Sequence, residues 1–468
     1  MLELTMTLEA GGGVPLYEQI YRHIRDEIRT GGIEKGERLP SGRSLSSQLG
    51  VSRSTVDLAY SQLVCEGYVE AVPYRGYFAC ETAGLYDIPE EEKPVAPESQ
   101  DASKKCDFDM KPVGIDLTGF PFDRWRKINR DLLTEEMSHL LRNGSSLGEE
   151  GLRESIAKYV HSARAVNCRP EQVVVGSGND YLLSLLSFVL GREGAVAMES
   201  PGYVHARGVF EAAGMEVKAV PADAFGMRTD RLAASGADIA YVMPSHQFPL
   251  GTVMPVGRRQ ELISWAAQKE GRFIIEDDYD SEFRYRGKPI PSLQGQDAEG
   301  RVIYLGTFSQ SLAPAIRISY LVLPENLLKK AEETLGRFSP TVSRLDQTSL
   351  DIFMREGHFE RHLNRMRRIY SRKRDILLGE LKKLSPAIAV SGERAGVHLL
   401  ITFKNGMEEG RAVELAGEKG VRVYPLSAYV LDRSAHEGIR ESAVLAGYAG
   451  LSENELLEAS ERLIDAWG

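Results

Sequence analysis

Only four cysteines, Cys65, Cys80, Cys106 and Cys168, occur in 468 residues. Their scatter excludes both a disulfide framework and a cysteine zinc site, and reduced thiols are expected. No apolar run is long enough to span a bilayer, and residues 1–13 lack the basic-then-apolar order of a signal peptide. A cytoplasmic protein without membrane association is therefore expected. Positive charge is also in deficit, with 57 Lys and Arg against 67 Asp and Glu, a net charge of -10. That balance argues against wholesale coating of nucleic acid, although a small DNA-reading surface can sit on an acidic protein because its field is local. The remainder, 42% hydrophobic and 26% charged, is ordinary globular composition, long enough for two or three domains.

Large apolar side chains are also scarce between residues 81 and 109, where Pro89, Pro94 and Pro97 interleave with Glu90, Glu91, Glu92, Lys93 and Glu98. This reads as a solvated linker. It divides the chain into a small unit at 1–80, a linker at 81–113 and a large domain at 114–468. In the small unit, Tyr17, Ile20, Tyr21, Ile24 and Ile28 repeat at helical spacing and Gly31-Gly32 stops the helix. A second helix is expected after Ser41, carrying Leu45 and Leu49 inward. A third starts at Ser52, with Val56, Ala59, Leu63 and Val64 on one face and Arg53, Ser54, Thr55 and Asp57 on the other. Residues 68–72 and 77–80 can then pair across Pro73-Tyr74-Arg75-Gly76. Three helices and a wing make a winged helix-turn-helix. Pro15-Leu16-Tyr17, Leu39-Pro40-Ser41-Gly42-Arg43, Leu49-Gly50-Val51-Ser52-Arg53 and Glu66-Gly67-Tyr68 resemble the DNA-binding domain of GntR-type regulators. The resemblance implies operator DNA as a partner, with Arg43, Ser52, Arg53, Thr55 and Arg75 at the duplex and Gly76 letting the wing approach. Arginine is suited to this work, because it pairs with phosphates and reads guanine bidentately.

Beyond residue 114, short apolar runs at 173–175, 195–198, 239–243, 273–275 and 302–305 alternate with helical stretches at 181–190 and 258–269. The alternation predicts an α/β domain with a largely parallel sheet, its ligands beyond the carboxyl ends of the strands. The motifs fall there. Gly176-Ser177-Gly178-Asn179-Asp180 joins a strand to a helix and can hold a phosphate on backbone N–H groups. In Glu276-Asp277-Asp278-Tyr279, Asp277 and Tyr279 project to the same side. There a carboxylate can hold a pyridine nitrogen protonated while the phenol reaches a ring hydroxyl. Tyr203, in Ser200-Pro201-Gly202-Tyr203, can stack on a planar cofactor.

With Pro244-Ser245-His246-Gln247 and Gly306-Thr307-Phe308-Ser309-Gln310-Ser311, these motifs resemble a fold-type I aminotransferase domain. Joined to the GntR-like unit, they resemble the MocR/GabR group of transcription regulators. The resemblance implies pyridoxal 5'-phosphate (PLP) as cofactor, with Asp277 on the pyridinium, Tyr279 on the ring oxygen and Tyr203 over the ring. Ser177, Gly178, Asn179, Ser309 and Arg317 would surround the phosphate. His246 and Gln247 would stand near the ring edge, and Thr307 and Gln310 lie in the same cofactor segment. A homodimer sensing a small amine or amino-acid-like effector is implied. The alternative is a PLP-dependent aminotransferase with an unrelated N-terminal appendage.

Two side chains that the resemblance leads one to expect are missing. Gln310 stands where a lysine would form the Schiff base with the cofactor, and its amide nitrogen is neither basic nor nucleophilic, so turnover is not expected. Two origins are open: natural loss of the lysine, or deliberate exchange, which the mutual consistency of the other motifs favours. Gly450 stands where an arginine would hold a substrate carboxylate. His205, Arg124 and Arg394 are candidate replacements, and the effector is expected to differ from a simple L-amino acid in length or handedness.

Overall fold

The computed structural model describes residues 6–9, 13–81, 106–285, 287, 290–432 and 442–468. They fall into two compact units, one within Met1–Ala102 and the other within Ser103–Gly468. The first unit consists of helices α1 (Leu16–Thr30), α2 (Gly42–Leu49) and α3 (Arg53–Cys65) followed by strands β1 (Val69–Val72) and β2 (Gly76–Ala79). α1 buries Ile20, Tyr21, Ile24 and Ile28, and ends at Gly31 with φ 79°. Ser41 and Ser52 cap α2 and α3 by accepting the Ser44 and Thr55 N–H groups at 3.1 and 3.2 Å. Each such cap stabilises its helix by about 1 kcal/mol. α3 buries Val56, Ala59 and Leu63 as its spacing predicts, and Tyr60 as well. The Tyr60 hydroxyl donates to the Pro40 carbonyl at 2.8 Å, tying α3 to the entrance of α2. The hairpin pairs Val69 with Ala79 and Val72 with Gly76, one residue closer to the turn than expected.

The second unit begins earlier than the composition suggested. Strand β3 (Phe108–Asp109) pairs in parallel with β14 (Val421–Arg422), and Phe108 and Met110 are buried. Residues from 107 to 113 thus belong to this unit rather than to a linker, and the rest of the expected linker, 82–105, lies outside the described residues. Asp107–Met110 has only two apolar side chains, and its place in this unit comes from pairing with a segment distant in sequence.

The eight-stranded sheet contains β4 (Val173–Gly176), β5 (Ala195–Ser200), β6 (Glu216–Asp223), β7 (Gly226–Met227), β8 (Ile239–Val242), β9 (Phe273–Asp278), β10 (Val302–Thr307) and β11 (Ser319–Val322). Its order is β4-β11-β10-β9-β8-β5-β6-β7. Strands β10, β9, β8, β5 and β6 run parallel. β11 is antiparallel to both its neighbours, and β7 to β6. Both faces are buried, which is why the strands read as unbroken apolar runs. In β4, Val173 and Val175 join the same core as Leu152, Ile156 and Val160 of the helix Glu150–Arg164. Val174 joins the opposite core, with Leu182 and Leu186 of the helix Asn179–Leu190. A smaller antiparallel sheet holds β12 (Ile388–Ser391), β13 (His398–Phe403), β15 (Tyr424–Pro425) and β16 (Ala443–Gly447), in the order β12-β13-β16-β15. Among the described residues no helix is long and apolar enough to cross a membrane.

Candidate functional site

A cavity of about 300 Å³ opens at the carboxyl ends of β4, β9 and β10, where the alternation of strands and helices predicts a ligand. Asp277 closes one part of it. Asp277 is the fifth residue of β9 and is 2% exposed. The Tyr241 hydroxyl, from the neighbouring β8, donates to its Oδ2, while its Oδ1 is buried with no partner. Burial first, then the neighbouring Asp278 and Asp280, pushes its carboxyl up to about 7 against the hydrogen bond from Tyr241. Asp278 projects to the other side of the strand, where Arg164 Nε donates to Oδ2 at 2.7 Å and the Tyr304 hydroxyl at 2.5 Å. The arginine that compensates Asp278 thus leaves Asp277 without a cation.

Tyr279 and Tyr203 line the same cavity. The Tyr279 hydroxyl lies 3.0 Å from His246 Nδ1, which itself lies 2.8 Å from Asp280 Oδ2. Burial, followed by the charges of Asp277 and Asp180, pushes the Tyr203 phenol up to about 12, so it stays protonated near neutrality. Phe248 stands edge-on to both tyrosine rings, at 6.0 and 6.2 Å between centroids, and holds them apart.

At the other end the cavity is polar. Asn179, Thr307, Ser309 and Arg317 line it, and the helix Asn179–Leu190 starts there behind Gly178 with no side-chain cap. Its free N–H groups and dipole favour an anion. Arg317 donates to the Ser177 carbonyl at 3.3 Å and lies 3.6 Å from Asp180. Ser177 and Gly178 are not in the wall; they act through Arg317. Gly178 has φ 100°, and a Cβ there would come within 2.4 Å of Arg317 Nη2. Gly178→Ala is therefore expected to cost about 1–3 kcal/mol of stability from backbone strain and to displace Arg317. A denaturant melt together with a phosphate-competition assay checks both effects.

Gln247 does not reach the cavity. Its Nε2 donates to the Pro201 carbonyl at 2.9 Å and its Oε1 accepts the Leu250 N–H at 3.0 Å, so the amide locks the loop. His246 also stands behind the wall, through Tyr279. Of the three candidate cations, only His205 lines the cavity. Arg124 belongs to a separate depression with His358 and Arg361, and Arg394 is in neither wall. Gln310 does line the cavity; its Nε2 donates to the Val113 carbonyl at 3.4 Å and its Oε1 is buried without a partner. Tyr241, Lys111, Val113 and Phe248 escaped the sequence reading, because none belongs to a glycine turn or an acidic strand end.

In the first unit, Arg43 and Arg53 are exposed at the starts of α2 and α3. Arg53 lies 3.5 Å from Asp57. The Ser52 hydroxyl is engaged in its cap and sits 2.7 Å from Thr55 Oγ1, so these two set the start of the helix. In the wing turn, Tyr74 has φ 63° and is fully exposed, Arg75 lies over the Phe78 ring at 5.8 Å, and Gly76 has φ 110°. Arg38, which the motifs did not single out, lies against Gly76, where a Cβ would meet its Nε at 3.3 Å.

Residues 16–78 match the family of bacterial regulatory proteins, gntR family, and residues 116–463 match aminotransferase class I and II. The chain is 40% identical over all of its length to the uncharacterized HTH-type transcriptional regulator YdeL of Bacillus subtilis, covering all of that protein. It is 30% identical to the probable rhizopine catabolism regulatory protein MocR of Rhizobium meliloti, over 99% of this chain and 96% of that one. The chain belongs to the MocR family of HTH-type transcriptional regulators. Among solved structures, this MocR-family chain resembles an archaeal alanine:glyoxylate aminotransferase, with a TM-score of 0.69 at 26% identity over 77% of this chain and 90% of that one. It also resembles LysN, the alpha-aminoadipate aminotransferase of Thermus thermophilus complexed with N-(5'-phosphopyridoxyl)-L-leucine, with a TM-score of 0.68 at 25% identity over 78% and 92%. The second unit of this MocR-family regulator is thus a fold-type I aminotransferase domain.

Proposed function

We propose that this regulator reads operator DNA as a homodimer through its winged helix-turn-helix and senses a small amine through PLP held in the 300 Å³ cavity. The observation that carries the sensing half is Asp277, a buried carboxylate in the cavity wall with one oxygen unpartnered and no cation. An isolated buried charge is costly, and a protonated ring nitrogen is the partner that relieves it. The cavity's size suits a small planar ligand, and its opposite end offers an anion site. The residues fit the cofactor. Asp277 would hold the ring nitrogen, Tyr279 the ring oxygen and Tyr203 a ring face. Asn179, Thr307, Ser309 and Arg317 would take the phosphate, for which Asp180 competes as Arg317's present partner. Bound PLP supplies an aldehyde reactive toward amines and an electron-withdrawing ring. Residues of this chain fix its orientation and exclude water, but Gln310 provides no basic group to move a proton. Catalytic transamination is therefore not proposed.

The DNA half rests on the exposed Arg43 and Arg53 at the starts of two capped helices, beside a wing carrying Arg75, against which Arg38 lies. A dimer presents two such units to two half-sites. Gly450 itself carries no charged side chain to meet a carboxylate, which favours an amine differing from a simple L-amino acid. The test is selection of the full chain on a pool of randomised duplexes, followed by salt titration of the enriched site with and without PLP and candidate amines. An enriched palindrome, falling affinity with salt and a shift on adding one amine with PLP support the reading. Absence of enrichment sinks the DNA half, and absence of PLP binding sinks the sensing half. Arg53→Ala is expected to weaken the selected duplex by about 1–3 kcal/mol, and loss of a phosphate contact at Arg43 to lower the salt slope by about one.

A further inference from the structure

Among the described residues, Lys111 is the sole lysine in the wall of the cofactor cavity. Its amine forms no ion pair or hydrogen bond among the described residues, although the backbone around it is held on two sides. The Met110 N–H donates to the Arg422 carbonyl at 3.0 Å, the Gly447 N–H to the Met110 carbonyl at 2.8 Å, and the Gly114 N–H to the Lys111 carbonyl at 3.2 Å. A Cβ on Gly447 would fall 1.9 Å from the Lys111 oxygen, so only glycine lets β16 approach this segment so closely. The anchored segment also touches position 310, since Gln310 Nε2 donates to the Val113 carbonyl. Two residues of chain span at most about 7 Å, and a lysine side chain built from bonds of about 1.5 Å reaches roughly 6 Å from its Cα. A lysine at 111 is thus within reach of the region at the tip of residue 310.

We propose that Lys111 is the amine that captures PLP in this chain, replacing the amine absent at Gln310. The inference rests on the cofactor reading above. In the capture step, the unprotonated Nζ adds to the aldehyde carbon. Water then leaves with the aldehyde oxygen and two hydrogens, so one C=N bond replaces one C=O bond. No oxidant or reductant is needed. An incoming primary amine exchanges one C=N bond for another and returns Lys111 as a free amine, which gives the pocket a response specific to amines. Lys111 stands near the start of the second unit, on the chain segment that follows residues 82–105. Its capture and release therefore act where the covalent connection to the DNA-binding unit arrives, whereas a lysine at 310 would act on the turn after β10.

The test uses the full chain incubated with PLP. Bound cofactor is first measured by equilibrium dialysis; the complex is then reduced with borohydride, digested and mapped by mass spectrometry. Four proteins are compared: the chain as it stands, Lys111→Arg, Gln310→Lys and the double variant. The expected result is a phosphopyridoxyl adduct on the peptide carrying Lys111, roughly tenfold or more reduced in Lys111→Arg and recovered at position 310 in the double variant. Cofactor retained on dialysis without an adduct at Lys111, or an adduct spread evenly over surface lysines, overturns the proposal while leaving the cofactor reading standing. So does loss of amine affinity in Lys111→Arg when the parent chain gives no adduct, since Lys111 is then only an ion-pair partner. Absence of bound PLP in all four proteins removes the cofactor reading and this inference with it.

Discussion

Asparagine at position 277 is expected to weaken PLP binding about a hundredfold or more, while the cofactor-free protein becomes more stable above pH 7. The two effects have one cause. In the proposed cofactor complex the Asp277 carboxylate would pair with a ring cation in a buried site, and an amide cannot compensate that charge. Without the cofactor, the same carboxylate is buried with Oδ1 unpartnered and its pKa is raised from 3.8 to about 7. Between those two values the unfolded chain has released the proton and the folded chain still holds it. Stability therefore falls as pH rises through this window and levels off above about 7. Asparagine removes that slope while keeping an oxygen for the Tyr241 hydroxyl. A gain on the order of 3 kcal/mol at pH 8 is expected, with little change at pH 4. Urea melts at the two pH values, beside a fluorescence titration with PLP, measure both quantities. A variant that binds PLP as tightly as the parent would remove Asp277 from the cofactor site.

Truncation of Arg164 is expected to destabilise the second unit strongly. Arg164 is 5% exposed and ends the helix Glu150–Arg164. Each nitrogen of its guanidinium donates, Nε to Asp278 and the two terminal nitrogens to the Ile290 carbonyl and the Ser245 hydroxyl. Removing it leaves the Asp278 carboxylate buried with the Tyr304 hydroxyl but without its cation. Breaking a buried pair in this way costs about 3–5 kcal/mol. Arg164→Ala should therefore shift the unfolding of the second unit by that amount. The same change releases Ser245 and the end of β9, so PLP affinity should fall in the protein that remains folded. Lysine at 164 should recover only part of the loss, because one ammonium cannot reproduce the planar fork to three acceptors. A melt of Arg164→Ala within 1 kcal/mol of the parent would show that the surrounding acidic cluster repacks or takes up a proton instead.

Much of the site was legible because its parts are local in the chain. A glycine turn before a helix, an acidic strand end and Tyr279 two residues beyond Asp277 each follow from period and turn chemistry. Asp277 and Tyr279 do line one cavity. Gln247 failed for a physical reason: a polar side chain next to a site can be consumed by its own loop, and here both ends of the amide bond to Pro201 and Leu250. Tyr241 and Lys111 were missed for the converse reason. Their roles depend on strands that are neighbours in the sheet but far apart in sequence, β8 beside β9 and β3 beside β14.

The amino-acid sequence by itself determined the order of helices and wing in the first unit, the strand-and-helix alternation of the second and the absence of an amine at position 310, since each depends on side-chain type at short spacing. Tertiary structure alone decided which buried carboxylate has a cation and which does not. It also decided that residues 107–113 belong to the second unit and that Lys111 faces the cofactor cavity. Those outcomes depend on which distant segments meet, and burial and electrostatics act on the residues brought together in space, whatever their separation along the chain.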